Sequence, residues 1–329
     1  MIKSSLLSRI AFGLFAFCFA ATPVFAITQL TQTFVSSAGQ DTNPCTQAQP
    51  CATFGQAILT TLPGGEVDAL TTGNFGAFTV SHSMTIDGKG LASVDGFDLD
   101  SAVEINASST DSVILRGVTI NGAHGGNFGV DYAAGGSVLI EGSTISGFIY
   151  DSILDVTTGA TTLVVKNSAL TGAQTGVYAN QTGGTTVLDH VTISGFTTYG
   201  IQQGLGTGNV IVNDSTISGG QYGICVHTAS TGSTVMIERS TISGASVAGA
   251  FAGRGTTSID ASTLLLNNFA VEATNGGIVR ISNNNIYSNK SSYICNTSGV
   301  VQTASNNRFG SDVGSSTPDC TSIVNIPLG

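Results

Sequence analysis

Val235-Met236-Ile237-Glu238-Arg239-Ser240-Thr241-Ile242-Ser243-Gly244 is one copy of a unit that recurs along most of the chain. Its closing word returns unchanged as Ser143-Thr144-Ile145-Ser146-Gly147 and Ser215-Thr216-Ile217-Ser218-Gly219. Close variants are Val118-Thr119-Ile120-Asn121-Gly122, Ser168-Ala169-Leu170-Thr171-Gly172 and Val191-Thr192-Ile193-Ser194-Gly195. Looser copies centre on Leu264 and Ile286, and Ser305-Asn306-Asn307-Arg308-Phe309 is a ninth. The central aliphatics Ile120, Ile145, Leu170, Ile193, Ile217, Ile242, Leu264 and Ile286 are separated by 25, 25, 23, 24, 25, 22 and 22 residues. A β-rich unit with a period in the low twenties indicates a stacked solenoid, in which each repeat buries its apolar face against its neighbours.

Within the unit, Val235 to Glu238 alternates apolar and polar, Thr241-Ile242-Ser243 alternates again after a short corner, and Ala248 to Ala252 forms a third run after Gly244. Period-2 runs broken by Gly, Ser or Asn corners describe three short strands per turn. The pattern recurs at Val138-Leu139-Ile140, Val187-Leu188, Val210-Ile211-Val212 and Ile278 to Ile281, with third runs at Gly176-Val177, Gly200-Ile201 and Gly223-Ile224. The expected fold is an all-β parallel β-helix of about 10 or 11 coils, with aliphatics stacked inside and like strands pairing in parallel roughly 4.8 Å apart.

The flanks differ from the repeats. Lys3 and Arg9 lead into the apolar stretch Ile10 to Ala21, and Val24-Phe25-Ala26 has the small residues of a cleavage site, so residues 1–26 read as a secretion signal. That stretch is shorter than the roughly 20 residues needed to span a bilayer, so the mature chain is expected to carry no transmembrane segment. Residues 27–65 are expected to cap the solenoid at its N-terminal end. There, Thr53-Phe54-Gly55-Gln56 has capping-box spacing, and Phe54, Ala57, Ile58, Thr61 and Leu62 follow helical periodicity up to Pro63. Residues 66–310 form the β-helix and 311–329 a C-terminal cap or tail.

Without Lys3 and Arg9 the balance is 20 acids to 8 bases, a net charge near −12. Nucleic acid and anionic membrane surfaces are therefore excluded as expected partners. Only 9% of residues are charged, so hydroxyl and amide side chains must keep the surface wet.

The opening Phe34-Val35-Ser36, Asp41-Thr42-Asn43-Pro44-Cys45 and Pro50-Cys51-Ala52-Thr53-Phe54, then Gly64-Gly65-Glu66-Val67, Met84-Thr85-Ile86-Asp87-Gly88 and the late Ser305 to Phe309, resemble secreted bacterial repeat proteins of the pectin-lyase-like superfamily. The resemblance covers nearly the whole mature chain. It implies a right-handed parallel β-helix and, by analogy of fold, polysaccharide as the ligand class. It hands over no catalytic residues. The chain has no Asp-Asp pair and no Gly-His-Gly, lacks the Arg-containing signature of the polygalacturonases, and offers only His124-Gly125-Gly126 as a Gly-rich corner.

Aligned on the central aliphatic, charged residues fall into columns. Arg116, Glu141, Lys166 and Asp189 alternate in sign coil by coil, as a ladder of opposite charges does. The next column holds His190, Asp214 and Arg239, flanked by Asp189, Glu238 and Asp260. Carboxylates, an imidazole and a guanidinium on one patch make Asp189, His190, Asp214, Glu238 and Arg239 the candidate catalytic set, with a structural charge ladder as the favoured reading. Asp95, Asp98 and Asp100 are a candidate calcium set in the longer insertion between Ile86 and Ile120. No other cofactor is expected; Cys225-Val226-His227 alone is too few ligands for a metal.

Trp is absent, so a sugar platform would have to use Tyr132, Tyr150, Tyr178, Tyr199 and Tyr222, which are read as corner packing. The pairs Thr144/Ser146, Thr192/Ser194, Thr216/Ser218 and Thr241/Ser243 form ranks of hydroxyls similar to the ice-binding faces of some β-solenoids, a remote alternative. Five cysteines remain after Cys18 leaves with the signal. Cys45 and Cys51 should close a small loop and Cys295 should pair with Cys320. Cys225 stays free, three coils from Cys295 or roughly 14 Å, beyond disulfide reach. The expected role is non-enzymatic: a secreted or cell-surface protein presenting a rigid polar face to extracellular polysaccharide or a surface partner. The alternative is a polysaccharide lyase or glycoside hydrolase working through the corner patch.

Overall fold

The computed structural model describes residues 29–123, 125–227, 232–304 and 306–310; the expected secretion signal, His124 and the 311–329 tail lie outside them. Three strands per turn stack into three parallel ladders. The first ladder contains five-residue strands such as Thr185–Asp189, Asn209–Asn213 and Thr234–Glu238. The second contains three-residue strands such as Thr192–Ser194, Thr216–Ser218 and Thr241–Ser243. The third runs through Thr175–Ala179, Tyr199–Gln203, Tyr222–Val226 and Ala248–Ala252. In the early coils, Met84–Asp95 and Ser112–Asn121 each run on through the first corner, so the first two ladders join in one sheet of 21 strands, while the third is a sheet of ten.

The register is the one the repeats dictate. Ile145 sits between Ile120 and Leu170, and Ile217 between Ile193 and Ile242. From Ile120 to Ile286 every member of this aliphatic column is at most 1% exposed. Phe309, the ninth copy, pairs with Ile286 but stands exposed at the end of the described stack.

Two features let the chain turn so sharply. Between the first and second ladders, one residue per coil takes a left-handed backbone: Asn167, His190, Asp214, Arg239, Ala261 and Asn283 have φ of 48, 55, 49, 48, 47 and 56°. Asn, Asp and His adopt this region most readily after Gly. The next residue points inward as a ladder of buried hydroxyls. Ser143, Ser168, Ser215, Ser240 and Ser262 accept the N–H of Val118, Ser143, Val191, Ser215 and Ser240, each from the coil before, at 3.0–3.2 Å. Each serine in turn donates to the carbonyl two residues earlier, 2.7–3.0 Å away. Asn284 and Asn307 extend the ladder with amide oxygens in place of hydroxyls.

At the N-terminal end a helix, Phe54–Thr60, starts at Thr53, whose Oγ1 accepts the Gln56 N–H at 3.2 Å. Phe54 packs edge-on against Phe75 and Phe78 and closes the apolar end of the stack. The helix stops two residues short of the expected Leu62, which is 37% exposed. Thr61 instead opens the strand Thr61–Ala69, which pairs with Leu30–Val35. Cys45 and Cys51 are disulfide-bonded and Cys225 is a buried free thiol. The expected Cys295–Cys320 bond involves a residue outside the described ones.

Candidate functional site

The corner between the first and second ladders brings the charged candidates together. Arg239 donates through Nε and Nη2 to Asp214 at 3.0 and 2.9 Å, and through Nη1 to Glu238 at 2.8 Å. Asp189 accepts at 2.7 Å from His190 Nδ1 and lies 3.7 Å from Lys166 Nζ. The Arg239 guanidinium holds Asp214 below the ordinary carboxylate range. In the adjoining column Arg116 faces Glu141, Glu141 faces Lys166 and Lys166 faces Asp189, in the sign-alternating order of the sequence. His190 and Arg239 side chains are 59% and 52% exposed. A shallow depression of about 170 Å³ between Met236, Ser258 and Arg280 takes in Glu238 but not Asp214 or Arg239.

Cation-sized clusters form at two places among the described residues. Asp189, His190 and Asp214 bring ligand atoms within 4.8 Å of one another, as do Glu66, Asp68 and Asp87 at the start of the first ladder. In the second cluster Lys89 Nζ already lies 3.1 Å from buried Asp68, and burial, followed by Asp68, pushes Glu66 upward. The calcium candidates Asp95, Asp98 and Asp100 are not such a cluster. Asp95 accepts from Asn74 at 2.6 Å, Asp98 occupies a left-handed turn position, and Asp100 accepts from Asn127 at 3.0 Å. The insertion carries the three carboxylates around a corner, and Asp95 and Asp100 are engaged by separate asparagines. The Cys225–His227 pair is split by the strand end: the Cys225 thiol lies under the outer face of the third ladder, and burial pushes it up to about 12.

The outer face of the third ladder is the feature that residue counting passed over. Tyr199 stacks on Tyr222 with ring centroids 5.6 Å apart, and Tyr222 meets Phe251 edge-on at 5.3 Å. Tyr178 extends the row from the preceding coil; its neighbours along the stack are Leu154 and Gln202. These rings are partly exposed, as is Glu272 beside Phe251. Tyr199 and Tyr222 thus belong to strands and not to packed corners. Tyr132 lies fully in the core, and Tyr150 leans on Phe128 at 5.8 Å. Toward the N-terminal end the same face opens into a groove of about 400 Å³ lined by Phe78, Leu99, Asp100, Glu104 and Asp131. Burial, then Glu104 and Asp100, push Asp131 upward. The signal in the sequence was a Tyr at matching places in successive third runs, Tyr199-Gly200-Ile201 and Tyr222-Gly223-Ile224.

The hydroxyl ranks of the second ladder are in register. Thr192, Thr216 and Thr241 align, as do Ser194, Ser218 and Ser243; Ala169 interrupts one rank, and Leu265 and Tyr287 replace the serine in the other.

Comparison with known proteins agrees with this architecture. Residues 101–264 match the family described as right handed beta helix region. The chain is similar to the crystal structure of pectate lyase Pel9A, at 14% identity over 87% of this chain and 81% of that one, with a TM-score of 0.62. It is similar to alginate lyase from Paenibacillus sp. str. FPU-7, at 14% identity over 85% and 100% of the two chains, TM-score 0.56. The A-module of the Azotobacter vinelandii mannuronan C-5 epimerase AlgE4 matches at 13% identity over 75% and 80%, TM-score 0.54. No curated protein matches the chain. At these identities the likeness establishes fold alone: the molecule is a right-handed parallel β-helix.

Proposed function

We propose that this right-handed parallel β-helix is an extracellular, non-enzymatic protein that holds a polysaccharide chain along the outer face of its third ladder. The observation that supports the reading most is the row of partly exposed rings Tyr178, Tyr199, Tyr222 and Phe251, placed one coil after another. Partly exposed aromatic rings offer apolar contact to the C–H groups of sugar rings, and Tyr adds a hydroxyl for hydrogen bonding. The side chains of Gln202 and Glu272 on the same face supply further polar contacts. Proteins of the same fold named for pectate and alginate suggest the ligand class by analogy. The signal-like N-terminus and the Cys45–Cys51 disulfide favour an oxidising, extracellular setting.

In this reading the Asp189, His190, Asp214, Glu238 and Arg239 patch stabilises neighbouring corners. Its carboxylates are engaged by His190 and Arg239, and its open surface cannot exclude water around a scissile bond. Depletion of the protein from solution by insoluble polysaccharides tests the binding. Wild type should be depleted by at least one polymer, and Tyr222→Ala should not. A parallel assay for unsaturated or reducing-end products should show none. Product release abolished by Asp214→Asn with the melting temperature intact would replace this reading with the lyase or hydrolase.

A further inference from the structure

We infer that the chain held on the third ladder is a neutral polysaccharide, free of uronate or sulfate groups; the inference rests on the polysaccharide-face reading above. The two rows of this ladder that carry the rings run from Ser101 through Phe128, Asp151, Thr175, Tyr199, Tyr222 and Ala248 to Phe269, and from Glu104 through Asp131, Leu154, Tyr178, Gln202, Cys225 and Phe251 to Glu272. Neither row holds a lysine or an arginine, and together they hold four carboxyl groups. Asp131, Asp151 and Glu272 are all pushed upward, each first by burial. These acids are partly desolvated and have no facing cation, so a polyanion laid along the rings would add like charge where screening is weakest.

The cations lie elsewhere. Arg116, Lys166 and Arg280 are in first-ladder strands, Arg308 is in a second-ladder strand, Lys89 and Arg239 occupy left-handed positions, and Arg254 and Lys290 are outside the third-ladder strands. A divalent ion could bridge a polyanion to an acidic face. The carboxylate clusters tight enough to share an ion, however, are at Glu66, Asp68 and Asp87 and at Asp189, His190 and Asp214, both on the first ladder and its corner. What the third ladder does offer is the partly exposed edges of stacked rings for apolar contact, with Gln202 and the Glu272 carboxylate beside them for sugar hydroxyls. A pectate or alginate chain meets nothing basic there, whereas an uncharged hexose or pentose chain has a use for each of these groups.

Native affinity electrophoresis of the mature protein through gels containing galactomannan, xyloglucan or β-glucan, and through gels containing polygalacturonate or alginate, tests this. Each gel is run in EDTA and in calcium. The expected result is retardation by at least one neutral polymer in both conditions and by neither anionic polymer. Tyr222→Ala and Phe251→Ala should weaken the retardation about tenfold. Glu272→Lys should add retardation by polygalacturonate in EDTA. Circular dichroism melts identify any alanine variant that has lost the fold, and Tyr222→Leu, which keeps the bulk, then takes its place. Retardation of wild type by an anionic polymer in either condition overturns the neutral-chain inference while leaving the polysaccharide face standing. Absence of retardation by every polymer, or ring variants that bind as wild type, overturns both.

Discussion

At the residue scale, burial explains more than charge does. His190, Asp214 and Arg239 share a left-handed backbone before they share any chemistry, and contacts among such exposed polar groups contribute little. The buried Ser ladder beneath them carries more weight, because each Oγ satisfies an N–H that is shut off from water. Ser215→Ala should cost about 1–3 kcal/mol by orphaning the Val191 N–H, measured by urea titration, whereas Asp214→Asn should cost less. Asp151 provides a test by pH. Burial pushes its carboxyl from 3.8 up to about 6, against a smaller opposing hydrogen bond from Thr175. A raised carboxyl binds its proton more tightly in the fold than in the unfolded chain, so stability falls as pH rises through the window between those two values. The Asp151 contribution is on the order of 3 kcal/mol across that window, and burial of Asp131, Asp155 and Glu272 acts in the same direction. The melting temperature of wild type should therefore drop between pH 4 and pH 7, and Asp151→Asn should flatten the drop; an unchanged slope in the variant would remove Asp151 as its source.

At the element scale, the three-residue strand of the second ladder has one job per side chain. Ile217 is fully buried between Ile193 and Ile242, while Ser218 lies on the outer side in line with Ser194 and Ser243. Ile217→Asp should cost several kcal/mol by burying an unpaired charge, and Ser218→Asp should stay within about 0.5 kcal/mol. Equal loss of melting temperature in the two would reverse the inside and outside assignments. This register was legible in the sequence because period-2 alternation and the recurring Thr-Ile-Ser word give the same answer in every coil. The cap helix was legible from Thr53 and Gln56, but its end was not, since pairing of Glu66 to Ala69 with Gln32 to Val35 overrides the helical periodicity that Thr61 and Leu62 carry. The aromatic row escaped because Tyr178, Tyr199, Tyr222 and Phe251 come from two different register rows of the third ladder. The charge columns could be read directly, since Arg116, Glu141, Lys166 and Asp189 hold equivalent positions; which of them pair could not, as Lys166 lies 3.7 Å from Asp189 while Arg116 lies 3.8 Å from Asp87.

At the scale of the whole molecule, each coil touches chiefly the coils above and below it, so stability is close to a sum of coil and interface contributions. Excision of residues 192–215 joins Val191 to Thr216 at an equivalent point of the next coil. The shortened protein should remain soluble and melt cooperatively at a lower temperature, with a row of rings one member shorter. An aggregated or molten product would show that the coils are not interchangeable units. The stack also contains its own stopwatch. Cys225 is the free thiol among the described cysteines, is 4% exposed and has neighbouring coils on both sides, with Gln202 and Phe251 as its partners along the ladder. Burial keeps it protonated at neutral pH, so a water-soluble disulfide reagent can reach a thiolate only when that part of the stack breathes. The labelling rate of the unmodified protein therefore clocks the opening of its middle coils, and a sugar chain lying across Tyr199, Tyr222 and Phe251 should slow that clock.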